Sequence, residues 1–292
     1  MSQRKSIRQL VAEERPLVQP LAHDALTARL IQRAGFKAIG VGGSSLLAAR
    51  YALPDIGLAA LGEMATGIAD IVAATDLPVT VDGDDAYGDV KSVVHMTELY
   101  ARMGVSGIVI EDQVRVSKQP GDAGALAVVP VEIMVQKLRA AKAACGGADL
   151  QIVARCDAYQ LEGLQGALRR ADRYLQAGAD GIFVPAVPHV HELAEIGRKF
   201  RGVHLLIAIF EGRKTWLSPA ELYAMGFNHV VFPGVLISRV VHAVDTALRQ
   251  LKDFAEGKAP MPPAADPDAT RVALEEAVLF EKWKAIHRQF TG

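Results

Sequence analysis

Two cysteines, Cys145 and Cys156, are all that 292 residues contain. That is too few for a disulfide framework, and neither sits in a CxxC or Cys/His metal pattern, so a reducing compartment is expected. Positive charge is not in excess: 32 Lys and Arg stand against 33 Asp and Glu, and the pI is about 6.7. No net positive field exists to hold a polyanion, which argues against nucleic acid as a partner. No stretch approaches the ~18 to 20 apolar residues of a membrane span, and the opening MSQRKSIRQLVAEERP mixes charges without an apolar h-region. A cytoplasmic protein with no membrane partner is the expectation. Neither GxGxxG nor GxxxxGK[ST] follows an apolar run, so no dinucleotide or nucleoside triphosphate site is signalled. The eight histidines form no zinc-type pattern at a strand end; His189 and His191 in PHVHEL are read as the start of a helix.

Apolar residues are plentiful, at 50%. Short runs rich in Val and Ile alternate with segments of helical period, the signature of βα units around a buried parallel sheet. Strands are expected near Leu17–Leu21, Ala38–Gly42, Pro78–Asp82, Gly107–Glu111, Gln151–Arg155, Gly181–Val184, His204–Ile209 and His229–Phe232. Eight such runs without a composition shift fit one closed (β/α)8 TIM barrel better than two open sheets. The phrases RAGFKAIGV, RMGVSGIVI, QAGADGIFV and AMGFNHVVF support this, each closing a helix at Gly35, Gly104, Gly178 or Gly226 before a strand. A helix from about Leu236 to Glu256 completes a barrel domain over residues 1–257. Residues 258–292 read as the remainder of a Pro-rich linker, GKAPMPPAADPDA, followed by an amphipathic helix, Thr270–Phe290, anchored by Trp283. That helical extension needs a surface to pack on, and a domain swap with a neighbouring subunit is one solution.

Active sites of such barrels lie at the C-terminal ends of the strands. Polar residues cluster there: Asp82, Asp84 and Asp85 in VDGDDAYGD, Glu111 and Asp112 in IEDQ, Arg155 and Asp157 in ARCDAY, Glu211 in FEGRKT, and Asp55 in LPD. Carboxylates converging on one mouth repel unless a cation sits among them, and all-oxygen ligands favour Mg²⁺ or Mn²⁺ over zinc. Asp82 and Asp84 are the candidates for nearest metal ligands, with Glu111 reached through water. Any single Asp could instead cap a helix or solvate a loop; the set at four strand ends is what points to a metal. Arg155, at the end of a buried strand, calls for a protein carboxylate or an anionic substrate. Gly42, Gly43, Ser44 and Ser45 either offer backbone N–H groups to a carboxylate or enolate oxygen or simply turn the chain. Cys156 reads as a packed small residue rather than a nucleophile.

In order and with barrel spacing, AHDALTARLIQRAGFKAIGVGGSS, LPDIG, VDGDDAYG, IEDQ and VARCDA resemble the isocitrate lyase / phosphoenolpyruvate mutase superfamily. EGRKT and FPG extend the resemblance over nearly the whole chain. The resemblance implies that Gly42, Gly43 and Ser44 cradle a substrate carboxylate and enolate oxygen. It implies further that Asp55, Asp82 and Asp84 surround Mg²⁺ and its waters, that Glu111 orients them, and that Arg155 binds a substrate carboxylate. Mg²⁺ would act as a Lewis acid on a 2-oxo or 2-hydroxy carboxylate. The superfamily usually assembles as tetramers that exchange C-terminal helices.

Two departures shape the expected reaction. Carbon–carbon lyases of the family carry K-[KR]-C-G-H after IEDQ, and the phosphomutases a Lys followed by Asn-Ser-Leu; this chain has VRVSKQPGDAGALAVVP, keeping only Lys118. Pro185 stands where the lyases have Glu and the mutases His. A metal, a cradle and one arginine suffice to stabilise an enolate. The expectation is therefore a Mg²⁺-dependent decarboxylase of an oxaloacetate-like acid. The alternatives are a methylisocitrate- or dimethylmalate-type lyase in which Lys118 or another residue of the 114–128 loop replaces the Cys, phosphonopyruvate chemistry, or a non-catalytic metabolite-binding barrel. Val114–Val129 is expected to be a lid over the substrate.

Overall fold

The computed structural model describes residues 5–118, 127–211 and 217–291; half of the expected lid, residues 119–126, and the GRKT segment after Glu211 lie outside them. Eight parallel strands close into a barrel in sequential order. They are β1 (Leu17–Ala22), β2 (Ile39–Val41), β3 (Val79–Asp82), β4 (Gly107–Glu111), β5 (Gln151–Arg155), β6 (Gly181–Phe183), β7 (His204–Ala208) and β8 (His229–Phe232). Closure is made where Leu17 of β1 pairs with His229 of β8. These are the eight expected runs, some trimmed by a residue or two at their ends.

The helices are α1 (Ile7–Glu13), α2 (Ala25–Arg33), α3 (Gly43–Tyr51), α4 (Leu61–Ala74), α5 (Val90–Arg102), α6 (Val131–Ala144), α7 (Tyr159–Gln176), α8 (Val190–Lys199), α9 (Pro219–Met225), α10 (Val235–Ala255), α11 (Pro267–Ala277) and α12 (Phe280–Thr291). Their starts are written locally: Asp24 and Thr27 cap α2 reciprocally, as Ser218 and Glu221 cap α9. His189 occupies the N-cap position of α8. The four punctuating glycines have φ of +87, +83, +103 and +122° at Gly35, Gly104, Gly178 and Gly226, a backbone that side chains with a Cβ resist.

Burial divides the barrel into layers. Ile39, Val79, Ile108, Ile152, Ile182, Leu205 and Val230 face the helices and are fully buried. Leu21, Val153, Phe183, Leu206 and Val231 fill the interior near the top. Beneath them runs a polar chain: Thr80 Oγ1 donates to Gln19 Oε1 (2.8 Å), His229 Nε2 to the same oxygen (3.0 Å), and His204 Nε2 lies 2.9 Å from His229 Nδ1. Because Gln19 Oε1 can only accept, His229 carries its proton on Nε2, and His204 donates to the bare Nδ1. Ile7 and Leu10 of α1 pack with Leu17 and Ala38.

The C-terminal region departs from expectation. In place of one helix over Thr270–Phe290 there are two, α11 and α12, separated at Leu279, whose φ is +55°. Asp266 caps α11, accepting from Ala269 N at 3.0 Å, and Pro267 takes its first position. The end of the expected linker is thus helix, since Asp-Pro is a starting signal there rather than a break. The turn at Leu279 has a packing reason: Ala277 is buried, Glu276 pairs with Arg33 of α2, and α12 folds back on α11. Among the described residues no helix is long and apolar enough to cross a membrane.

Candidate active site

Side chains alternate along a strand, so residues two apart share a face. Asp82 ends β3, Glu111 ends β4 and Arg155 ends β5, and adjacent strands bring all three to one side of the mouth. Carboxylate oxygens of Asp82, Asp84 and Glu111 lie within 4.8 Å of one another, the one group among the described residues with metal-ligating potential.

Asp84 reaches that position through an unusual backbone. Asp84, Ala86 and Tyr87 have φ of +49, +64 and +59°, left-handed conformations that each cost on the order of 1–3 kcal/mol without glycine. Surrounding contacts hold the turn. Asp84 N donates to Asp82 Oδ1 at 3.0 Å, Glu111 N to Asp84 O at 2.8 Å, and Lys137 Nζ to Asp85 O at 2.6 Å. Arg115 clamps it from above: Nε donates to Asp85 Oδ1 (2.9 Å), Nη2 lies 3.4 Å from Asp84 Oδ2, and Nη1 donates to Ala59 O (2.8 Å), with the guanidinium 4.9 Å over the Tyr87 ring.

Two cations enter the cluster. Lys118 Nζ is 2.5 Å from Asp84 Oδ1, 2.8 Å from Glu111 Oε1 and 3.7 Å from Asp55 Oδ1. Arg155 Nη1 is 3.1 Å from Glu111 Oε2, while its Nη2 donates to Asp157 Oδ1 at 2.8 Å. Burial alone would lower Lys118 and Arg155, but the carboxylates around them, Glu111 and Asp157 foremost, hold both above their ordinary values. Burial pushes the Glu111 carboxyl up to about 8, with Arg155 pulling it down and Asp157 raising it. Asp82 is raised by desolvation and then by Asp84.

The donor set suits a hard divalent cation. Six carboxyl groups (Asp55, Asp82, Asp84, Asp85, Glu111, Asp157) meet four cations (Arg115, Lys118, Lys137, Arg155), so with Glu111 ionised two negative charges are left over, which a doubly charged ion would neutralise. Both Glu111 oxygens are buried and, despite their ion pairs, have no donor in hydrogen-bonding geometry. A buried carboxylate left so is costly unless a metal or its waters complete it.

A cavity of about 330 Å³ opens beside the cluster, lined by Gly42, Gly43, Ser44, Asp55, Asp82 and Arg155 on its polar side. Gly42 is the N-cap of α3 and has no side-chain cap, so the helix start is left for other acceptors. A Cβ on Gly43 would lie 3.5 Å from Asp82 Oδ2 and 3.7 Å from Asp55 Oδ2, and Gly43 N points at Asp82 Oδ2 from 3.4 Å.

Three expected participants stand elsewhere. Asp112, beside Glu111, faces the opposite way, where it accepts from Tyr174 Oη (2.6 Å) and Asp157 N (2.8 Å) with Arg170 nearby, and it supports α7 rather than the mouth. Ser45 turns its hydroxyl to Gly42 O at 3.3 Å and does not line the cavity. Glu211 is held at the surface by Arg239 of α10 through two 2.6 Å contacts, also outside the cavity wall. Cys156 is buried against Ala167 O, and burial pushes its thiol up. Sequence reading passed over Arg115; its position in VRVSK, three residues before Lys118, was the available signal. Of the cavity's other wall it singled out Pro185 alone and passed over Leu206, Ala208, Phe210 and Val231.

The chain matches the phosphoenolpyruvate phosphomutase family over residues 7–252. It is 35% identical over 233 residues to the 2,3-dimethylmalate lyase of Eubacterium barkeri, covering 80% of each. It is 32% identical over 281 residues to the 2-methylisocitrate lyase of Halalkalibacterium halodurans, covering 96% of this chain and 91% of that one. A crystal structure of 2,3-dimethylmalate lyase superposes with a TM-score of 0.87 at 27% identity, over 98% of this chain and 94% of the other.

Proposed function

The chain belongs to the isocitrate lyase / phosphoenolpyruvate mutase superfamily, and on that premise we propose a Mg²⁺-dependent carbon–carbon lyase of the decarboxylating kind, acting on an oxaloacetate-like 2-oxo dicarboxylate. The observation that carries this reading is the carboxylate triad of Asp82, Asp84 and Glu111, with the Glu111 oxygens buried and undonated.

Asp82 and Asp84 are the residues to hold Mg²⁺ or Mn²⁺, with Glu111 and Asp55 orienting its waters. When bound, the ion supplies Lewis acidity toward a 2-oxo group and charge for the anion left after bond cleavage. The start of α3, from Gly42 to Ser44, directs backbone N–H groups at the substrate carboxylate. Arg155, fixed by Glu111 and Asp157, faces the same cavity and pairs with an anionic group. Lys118 keeps its proton on Nζ and holds Asp84 and Glu111 in place. Loss of CO₂ requires no acid at the leaving group, which agrees with a 114–128 loop that has neither Cys nor His.

An enzyme-linked pyruvate assay with Mg²⁺ against oxaloacetate, methylisocitrate, dimethylmalate and phosphonopyruvate tests the reading. Oxaloacetate should turn over, and Asp82→Ala should lower the rate at least ~100-fold with the fold intact by circular dichroism. Equal rates in the two proteins, or failure of the wild type to bind Mg²⁺, would overturn it.

The partner is a second copy of this chain. Val241, Leu248, Leu251 and Phe254 of α10 and Trp283 and Phe290 of α12 are all exposed, far more apolar surface than a lone subunit keeps in water. A tetramer that covers these helices is the proposed assembly, and light scattering should return four times the chain mass; a monomer would refute it.

A further inference from the structure

Behind β4 and β5 a second set of charged groups is buried without reaching the cavity. Asp112 and Tyr174 are fully buried and Arg170 is nearly so. A buried carboxylate and guanidinium are costly unless each finds partners, and here they do. Arg170 Nη1 donates to Val129 O (2.8 Å) and to Tyr174 Oη (3.3 Å) and lies 3.5 Å from Asp112 Oδ2, while Nε and Nη2 donate to Glu162 Oε1 at 3.0 and 2.6 Å. Tyr174 Oη donates in turn to Asp112 Oδ2 at 2.6 Å. Two glycines make room for Glu162. Gly163, at φ +66° and ψ −178°, breaks α7 just after it, and a Cβ on Gly166 would lie 2.3 Å from the Glu162 Cβ.

The other Asp112 oxygen faces the site's supports. Oδ1 accepts from Asp157 N at 2.8 Å, and Asp157 Oδ1 accepts from Arg155 Nε (3.1 Å) and Nη2 (2.8 Å). Arg155 has a second carboxylate partner in Glu111, which belongs to the metal-ligating group. Asp157 is therefore the anchor of Arg155 that does not depend on what fills that group, and Asp112 sets the backbone of Asp157.

We propose that Arg170 is a positioning residue for the site: through Tyr174, Asp112 and Asp157 it fixes the direction in which Arg155 presents its guanidinium to the anionic end of the substrate. The inference rests on the pairing of Arg155 with a substrate anion read above, and carries that pairing back to a residue of α7. An arginine is needed there rather than any cation. Its planar fork spans Glu162, Val129 O and Tyr174 at once, a geometry that the compact ammonium of lysine does not reproduce.

Two substitutions test the point from different ends. Arg170→Lys keeps the buried charge and removes the fork; Tyr174→Phe keeps the ring and removes its link to Asp112. Calorimetry would measure Mn²⁺ alone and oxalate at saturating Mg²⁺, with melting curves alongside. Oxalate affinity should fall about tenfold in Arg170→Lys and about threefold in Tyr174→Phe, while Mn²⁺ affinity stays within about twofold of wild type. On an Arg155→Gln background the same substitutions should change oxalate affinity less than about twofold, because the residue they act through is gone. A loss that persists at full size in that background, a joint fall of Mn²⁺ and oxalate affinity, or no change in either variant overturns the proposal. If Arg170→Lys fails to fold, Tyr174→Phe decides alone. If wild type binds no oxalate with Mg²⁺, or Arg155→Gln binds it as tightly as wild type, the pairing of Arg155 with substrate falls first and the proposal with it.

Discussion

Two polar layers sit one above the other inside the same barrel, and they solve burial in opposite ways. The lower layer, Thr80, Gln19, His229 and His204, is neutral and linked by hydrogen bonds of 2.8 to 3.0 Å. The upper layer, Asp82, Asp84, Glu111, Lys118 and Arg155, is charged, includes undonated oxygens, and rests on a turn with three left-handed non-glycine residues. On β3 the change takes two residues, from Thr80 to Asp82. The lower layer is bonded within itself except at Gln19 Nε2 and His204 Nδ1, whereas the upper layer leaves both oxygens of a buried carboxylate, Glu111, without a donor.

The comparison can be broken most forcefully with acid. Burial pushes His204 down to about 4, and burial and then His204 hold His229 well below its ordinary value. An unfolded chain takes up these protons near pH 6.5 whereas the folded one does not, so the unfolded state binds more protons and stability drops as the pH falls from about 6.5 toward 4. The histidines' loss approaches ~1.4 kcal/mol per pH unit each; Glu111, raised to about 8, contributes in the opposite sense over the same range, so the histidine part is read from the difference between wild type and variant. Denaturant midpoints between pH 7 and 5 measure it, and His204→Gln should make the slope shallower. An unchanged slope would mean that the lower layer is not held neutral.

A smaller effect separates the layers directly. Glu111→Gln should weaken Mn²⁺ binding ~10- to 100-fold. Thr80→Val, which removes one hydrogen bond from the lower layer, should cost ~0.5–1.5 kcal/mol of stability and leave Mn²⁺ affinity within about twofold. Titration calorimetry and melting curves on the pair would show whether metal binding and stability divide between the layers as the geometry divides them.

The sequence carries the barrel clearly because period-two Val/Ile runs and left-handed glycines are local signals that each element repeats. Asp82 and Glu111 are legible for a related reason: they end neighbouring strands, which topology brings together, and Asp84 follows Asp82 by two residues. Asp112 misleads because it adjoins Glu111 in sequence while alternation sends it to the other face. Glu211 sits in a family-like phrase, yet its place depends on Arg239 in the next helix, a pairing without periodicity. The break at Leu279 is invisible for the same reason, since only the seat of Ala277 on the barrel calls for it. Lys118 lies between: its residue type invites a role in the loop, but its distance to three carboxylates follows from the path of the chain.

Closure of the barrel through Leu17 and His229 places its two edge strands more than 200 residues apart, with Gln19 and His229 separated by 210 positions. A ribosome must therefore release almost the entire barrel before β1 loses its open edge. Until then β1 and β7 remain free templates for pairing with other chains, and the histidine at the centre of the lower layer has not yet been made. Biosynthesis of this protein is thus a wait for its eighth strand, during which the nascent chain is sheltered by folding helpers or exposed to aggregation.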